Sequence, residues 1–253
     1  NAQGVEFRDL TFRQALEQAR EENKLVFMDC YTSWCGPCKN MLNNVFTLPE
    51  AGEFMNAAFV CVKFDMEKGE GIELQKQFQV RAFPTFFMIR PDGTVQHRLV
   101  GGSPWERFRE RVERGLDEET SYCYLEACYR KGKLSPKQYP QYIEALKDAG
   151  DDKRMEEVCL EVFGKWSDKA RCRGENWFLF DQGMRQTDIR FEYLVDHKEN
   201  FDRNVGKDVV DGKIYSVYSE ELARLNSSKG NEWPARIGEI AVQLEEVDFE
   251  GER

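Results

Sequence analysis

Two periods of hydrophobicity run along this chain, and the place where one gives way to the other divides it. Between Thr11 and Leu116, short and almost wholly apolar runs alternate with amphipathic stripes; past Asp117 only the stripes continue. Leu25 to Tyr31 is apolar at nearly every position, as a strand covered on both faces is, and Phe59 to Phe64 and Phe86 to Ile89 repeat the pattern. Val95 to Val100 follows the turn Pro91-Asp92-Gly93-Thr94, so it is expected to pair antiparallel with the run before it. The stripes carry caps where helices should begin. Thr11-Phe12-Arg13-Gln14 is a capping-box opening, and Ser103-Pro104-Trp105-Glu106 leads a helix with Trp105, Phe108, Val112 and Leu116 on one face.

After the acidic hinge Asp117-Glu118-Glu119-Thr120, Ser135-Pro136 opens a helix that Gly150 closes, and Asp151 opens the next. Aromatic helices are expected around Trp177 to Phe180 and Phe191 to Val195, a longer one within Val205 to Leu225, and a last from Pro234. The pattern predicts an α/β domain over residues 1–118 and an all-α helical domain over 119–253, either a bundle or an irregular helical array.

Composition narrows the function. At 41% hydrophobic and 32% charged residues the chain is globular, and a net charge of −10 argues against a nucleic-acid surface. No stretch approaches the roughly 18 apolar residues that a membrane span needs. The chain starts Asn1-Ala2-Gln3-Gly4, which fits a mature exported chain or a trimmed one. A periplasmic or otherwise extracytoplasmic location is the expectation, with the cytoplasm as the alternative. Eight cysteines in 253 residues are too few and too scattered for a disulfide scaffold.

The chemistry concentrates in Trp34-Cys35-Gly36-Pro37-Cys38-Lys39, directly after the first apolar run. At the start of a helix, free backbone N–H groups and the helix dipole favour a thiolate at Cys35. Cys35 is accordingly expected to be the more exposed and more acidic thiol. Cys38 lies one turn further in, near enough to close a disulfide. Pro37 suits the first turn because its missing N–H would have no partner there. Gly36 admits a substrate backbone and Trp34 offers an apolar platform. The competing reading is half of a zinc site. Zinc would need a second ligand pair, and the chain holds only two histidines and no second Cys-x-x-Cys.

Other chemistry-bearing residues read mostly as structure. Cys30 and Cys61 fall in strand runs and Cys159 in a helix stripe, so all three are expected in cores. Cys123 and Cys128 sit too far round a helix to bond to each other. Cys172 lies among Lys169, Arg171 and Arg173, which would lower its pKa if it is exposed. His97 is expected to point outward from its strand.

The order helix, strand, dithiol helix, strand, helix, proline-led hairpin, helix, with Trp-Cys-Gly-Pro-Cys-Lys in place, resembles thioredoxin over about residues 5–117. The resemblance implies an α/β thioredoxin-like fold, a central mixed sheet flanked by helices. It implies that Cys35 is the nucleophilic thiol and Cys38 the resolving one. It also implies that Asp29, six residues before Cys35, assists proton removal from Cys38, with Lys63 pairing near it. Pro84 matches the family's cis-proline facing the dithiol, with Phe83 before it, and Trp34, Gly36 and Pro37 complete the substrate contacts. The sequence departs at Tyr31, where thioredoxin proper has Trp, at a slightly longer Met66–Gly71 loop, and at the bulk of Phe83. Tyr31 makes Asp29-Cys30-Tyr31 more similar to the reductase domains of thiol–disulfide interchange proteins.

The leading expectation is a thiol–disulfide oxidoreductase that reduces protein disulfides through Cys35 and Cys38. It would use no metal and no cofactor beyond that disulfide, and would draw electrons from an unidentified donor. The alternative is a binding module whose helical half recruits a client, with the redox centre secondary. Residues 1–118 are expected to fold and to reduce a generic disulfide alone.

Overall fold

Strand β1 (Leu25–Tyr31) is buried on both faces from Val26 to Cys30: Val26, Met28 and Cys30 enter one core and Phe27 the other, while Asp29 is buried in neither. In this computed structural model, residues 4–228, 233–247 and 249 are described; the Asn1-Ala2-Gln3 start lies outside them. β1 pairs parallel with β2 (Phe59–Asp65) and antiparallel with β3 (Thr85–Ile89), which pairs antiparallel with β4 (Val95–Val100). The four-stranded sheet therefore has the order β2-β1-β3-β4.

Alternation along the strands makes two cores. One face holds Phe27, Phe59, Phe86 and Leu99 against Met41, Val45, Phe46, Phe108 and Val112. The other holds Val26, Met28, Cys30, Val60, Val62 and Ile89 against Phe12, Ala15, Ala19 and Leu74. Helices α1 (Phe12–Glu22) and α4 (Gly71–Gln77) supply the second face. The first is covered by α2 (Gly36–Asn40), a π-helical turn (Met41–Val45), α3 (Pro49–Ala58) and α5 (Trp105–Leu116). The expected Thr11 capping box is present in full, and the proline-aspartate-glycine turn joins β3 to β4. Phe27 stacks on Phe86 and meets Phe46 and Phe108 edge-on, in the same core as Met41 and Val45, which follow the dithiol helix directly in the chain.

The chain divides into two compact units, Asn1–Met155 and Glu156–Arg253. The first continues past the expected boundary at residue 118. Helices α6 (Tyr122–Arg130) and α7 (Gln138–Asp148) lie against β4 and bury Leu125, Tyr142, Ile143 and Leu146. A β-bulge between Met88 and Ile89 lets Gln96 and His97 both turn inward. His97 is therefore fully buried, not outward as the alternation suggested. Its Nδ1 accepts the Tyr122 backbone N–H at 3.0 Å. Burial, with Arg114 and Arg111 nearby, pushes its pKa down to about 3, so it stays neutral.

The second unit is helical throughout its regular structure. Past α8 (Asp152–Lys165) come α9 (Asp168–Arg171), a 3-10 turn (Gly174–Leu179), α10 (Ile189–Asp196), α11 (Lys198–Asn204), α12 (Lys207–Ser228) and α13 (Trp233–Glu246). Its core is aromatic: Phe180 meets Phe201 at 4.7 Å, and Phe163, Trp177 and Tyr193 surround them. Arg190 is buried here on a fork from Asp188, with Nη1 donating to the Leu179 carbonyl. Cys172 is buried, not exposed among its basic neighbours, with Sγ 3.6 Å from the Tyr193 hydroxyl. Among the described residues, no helix is long and apolar enough to cross a membrane.

Candidate redox-active site

Cys35 caps α2. The Cys38 backbone N–H donates to Cys35 Sγ at 3.1 Å, while the Cys35 N–H donates to the Thr32 carbonyl. A sulfur in this place receives one of the donors that the start of a helix leaves unpaired. Cys35 and Cys38 are joined as a disulfide, with Cα atoms 5.3 Å apart. In this state they are 3% and 6% exposed. Exposure therefore does not separate the two sulfurs as expected, and the capping bond does. Among the described residues, no group of three or more His, Cys, Asp or Glu gathers where a metal could sit.

Trp34 stands 65% exposed beside the disulfide, its indole N–H donating to both Glu67 carboxylate oxygens at 3.0 and 3.1 Å. Its ring meets Phe83 edge-on at 6.0 Å. Gly36 and Pro37 are exposed, Phe83 is half-buried and Pro84 is buried. The Phe83–Pro84 peptide bond is cis. The Pro84 carbonyl accepts the Gly101 N–H at 2.9 Å, which ties the head of β3 to the loop after β4. Gly102 in that loop lies so close to the dithiol segment that a Cβ would meet Met41 Sδ at 2.7 Å and come within 3.9 Å of the Pro37 carbonyl.

Asp29 is 5% exposed, and its Oδ1 has no hydrogen-bond partner. Burial pushes its pKa up from 3.8 to about 7, and the charge on Lys63 pulls the other way. Lys63 is its register partner on β2. Among the described residues no ion pair joins them; the Lys63 ammonium lies over the Phe7 ring at 5.6 Å from its centroid. A cavity of about 190 Å³ is lined by Asp29, Tyr31, Thr32, Ser33, Cys38, Lys39, Leu42 and Lys63. It puts the second sulfur and the buried carboxyl on one small space.

The expected site residues thus form one neighbourhood, although Lys63 stands near Asp29 without pairing. Sequence reasoning missed Thr32 and Glu67. Thr32 carries no signal in a run of ordinary loop residues, and nothing marks Glu67 within the longer Met66–Gly71 loop. Gly102 was not among the expected site residues either. The adjacent pair Gly101-Gly102 was its one visible mark.

A disulfide closed across the first turn of a helix, on a mixed sheet with a buried carboxyl behind it, defines a protein of the disulfide oxidoreductase class. Residues 12–116 match the sequence model of the thioredoxin-like domain. Thioredoxin-1 of Drosophila yakuba is 39% identical over 96 residues, which cover 35% of this chain and 83% of that protein. Chloroplastic Thioredoxin Y2 of Arabidopsis thaliana is 34% identical over 118 residues, covering 44% and 67%. Among solved structures, a candidate disulphide-isomerase from Bacteroides thetaiotaomicron is 44% identical, with a TM-score of 0.43; the match covers 46% of this chain and 97% of that one. This chain belongs to the thioredoxin family.

Proposed function

We propose that the protein reduces disulfides in protein substrates. The Cys35 thiolate attacks one substrate sulfur; that S–S bond breaks, the other sulfur leaves as a thiolate, and Cys35 holds the substrate as a mixed disulfide. Cys38 then loses its proton, attacks Cys35 Sγ and releases the second substrate thiolate. The Cys35–Cys38 disulfide results, and a dithiol or other two-electron donor restores the reduced pair. In this reading Asp29 takes the Cys38 proton, directly or through water in the shared cavity. A carboxyl with a pKa of about 7 is matched to that transfer near neutral pH. Lys63, beside Asp29 in register, tunes it by charge. Trp34, Gly36, Pro37, Phe83 and Pro84 form the contact surface for the substrate chain.

The observation that carries this reading is the cavity that Asp29 shares with Cys38, behind a sulfur that caps a helix. Catalysed reduction of insulin by dithiothreitol is the direct test. Acceleration over the uncatalysed rate is expected; no acceleration at micromolar protein would remove the proposal.

Asp29→Asn should slow resolution of the mixed disulfide by about a hundredfold or more, the lower end of the range for a lost general base. Its effect on stability has a definite sign. The folded state keeps the proton up to about pH 7, whereas an unfolded aspartate releases it near 3.8, so wild-type stability falls as pH rises through that window. Asn removes this penalty, which is on the order of a few kcal/mol above pH 7. Denaturant unfolding at pH 8 should therefore find the variant more stable, with the difference vanishing near pH 4. A less stable variant at pH 8 would make Asp29 a paired structural residue.

A further inference from the structure

Arg111 on α5 is buried and spends its guanidinium on one loop. Nη2 donates to the Val100 carbonyl at 2.8 Å and Nη1 to the Gly101 carbonyl at 3.0 Å, with Ser103 Oγ at 3.5 Å. Its Nε donates to Asp148 Oδ1 at 2.9 Å, and Nη2 reaches the Asp148 carbonyl at 3.3 Å. Asp148 Oδ2 accepts from Arg114 Nε at 2.8 Å. Both side chains of the Arg111–Asp148 pair are 7% exposed. A guanidinium this deep requires a carboxylate, and the carboxylate comes from α7, beyond the residues that match the family model.

The loop so held is the one that borders the dithiol. The Gly101 N–H donates to the Pro84 carbonyl, and Gly102 abuts Met41 and Pro37. Gly102, Ser103 and Pro104 then continue as one wall of a groove of about 500 Å³, whose other wall is Pro37, Asn40 and Asn44. We propose that Arg111, fixed by Asp148, is a positioning residue. It sets the Val100–Ser103 loop as the wall against which an extended substrate segment beside the disulfide lies. The segment after the thioredoxin-like domain would thus shape substrate binding without touching the substrate. Loosening the loop alters how a polypeptide docks and leaves the exchange step at sulfur unchanged.

The kinetic half of this inference rests on the disulfide-reduction reading; the structural half does not. In Asp148→Asn the guanidinium loses its ionic partner. In Arg111→Lys the ion pair survives, but one ammonium cannot hold two carbonyls and a carboxylate in the same geometry. Both should raise KM for insulin about tenfold, the equivalent of about 1.4 kcal/mol, with kcat within about twofold. Arg114→Gln takes away the other partner of Asp148 and leaves the loop bonds, so its KM should not move. Hydrogen exchange at the Gly101 amide should quicken about tenfold or more in the first two variants and not in the third. An unchanged KM in Arg111→Lys, a fall in kcat alone, or an equal effect from Arg114→Gln would overturn the proposal. Should Asp148→Asn fail to fold, Arg111→Lys decides. Should the wild type not reduce insulin, the exchange rate at Gly101 decides, and an unchanged rate overturns it.

Discussion

Cys38→Ser is expected to end catalytic turnover of insulin reduction and leave the protein joined to its substrate through Cys35. The first exchange needs only the Cys35 thiolate, which the helix start and the Cys38 N–H at 3.1 Å stabilise. The second needs a sulfur one turn further in, and serine's hydroxyl does not displace a thiolate. Each molecule should therefore react once, so steady-state turnover falls by about a thousandfold or more while adducts approach one per chain. Competition from the thiols of Cys30, Cys61 and Cys123 is weak. Burial pushes the Cys30 and Cys61 thiols well above the ordinary range, and Cys123 is raised for the same reason. Intact mass before and after dithiothreitol reads the result; Cys35→Ser, under the same conditions, should form no adduct. Persistent turnover in Cys38→Ser, or adducts mapped to another cysteine, would sink the two-cysteine cycle.

Truncation after residue 118 should damage the protein, whereas truncation after 155 should not. The elements of the family pattern are complete by Leu116, which is why the shorter piece looked sufficient in the sequence. In the structure, that cut removes Asp148 from Arg111 and Arg114 and takes the Tyr122 N–H from His97. Losing one side of a buried ion pair costs about 3–5 kcal/mol. Water will reach Arg111 in the truncated chain and return part of that. A net loss of about 3 kcal/mol lowers the melting temperature of a domain this size by about 10 °C. The 1–155 piece should melt within a few degrees of the intact first unit, and its insulin KM should match the full chain. Equal melting and equal KM for the two pieces would restore the boundary at 118.

Much of the site was legible because it is written in local terms. A Cys-x-x-Cys after a buried strand, a lone carboxylate within that strand and a proline before the next strand each depart from the local pattern, and each departure is a place where function is expected. Lys63 was legible only as a position. Its register against Asp29 holds, yet its long stem carries the ammonium to the Phe7 ring, a choice that rotamers and neighbours make. His97 was misread because alternation assumes an unbroken ladder; one bulge at Met88/Ile89 turns the strand and sends two successive polar residues inward.

By itself, then, the sequence determined the order of the strands, the helices α1, α2, α4 and α5 between them, the two-faced burial of β1 and the dithiol at a helix start, but not α3. These follow from periodicity, caps and spacing, which act within a few residues of one another. Only the tertiary structure decided that Asp29 and Cys38 share one cavity, that the Gly101-Gly102 loop is pinned to Pro84 and beside Met41, and that Asp148 holds the arginine that pins it. Arg111 and Asp148 lie 37 positions apart, each in an unremarkable amphipathic stripe. Only the packing of α7 beside α5 and the end of β4 makes one the counter-charge of the other. No local period encodes that meeting; it is a consequence of burying both helices and leaving no buried charge alone.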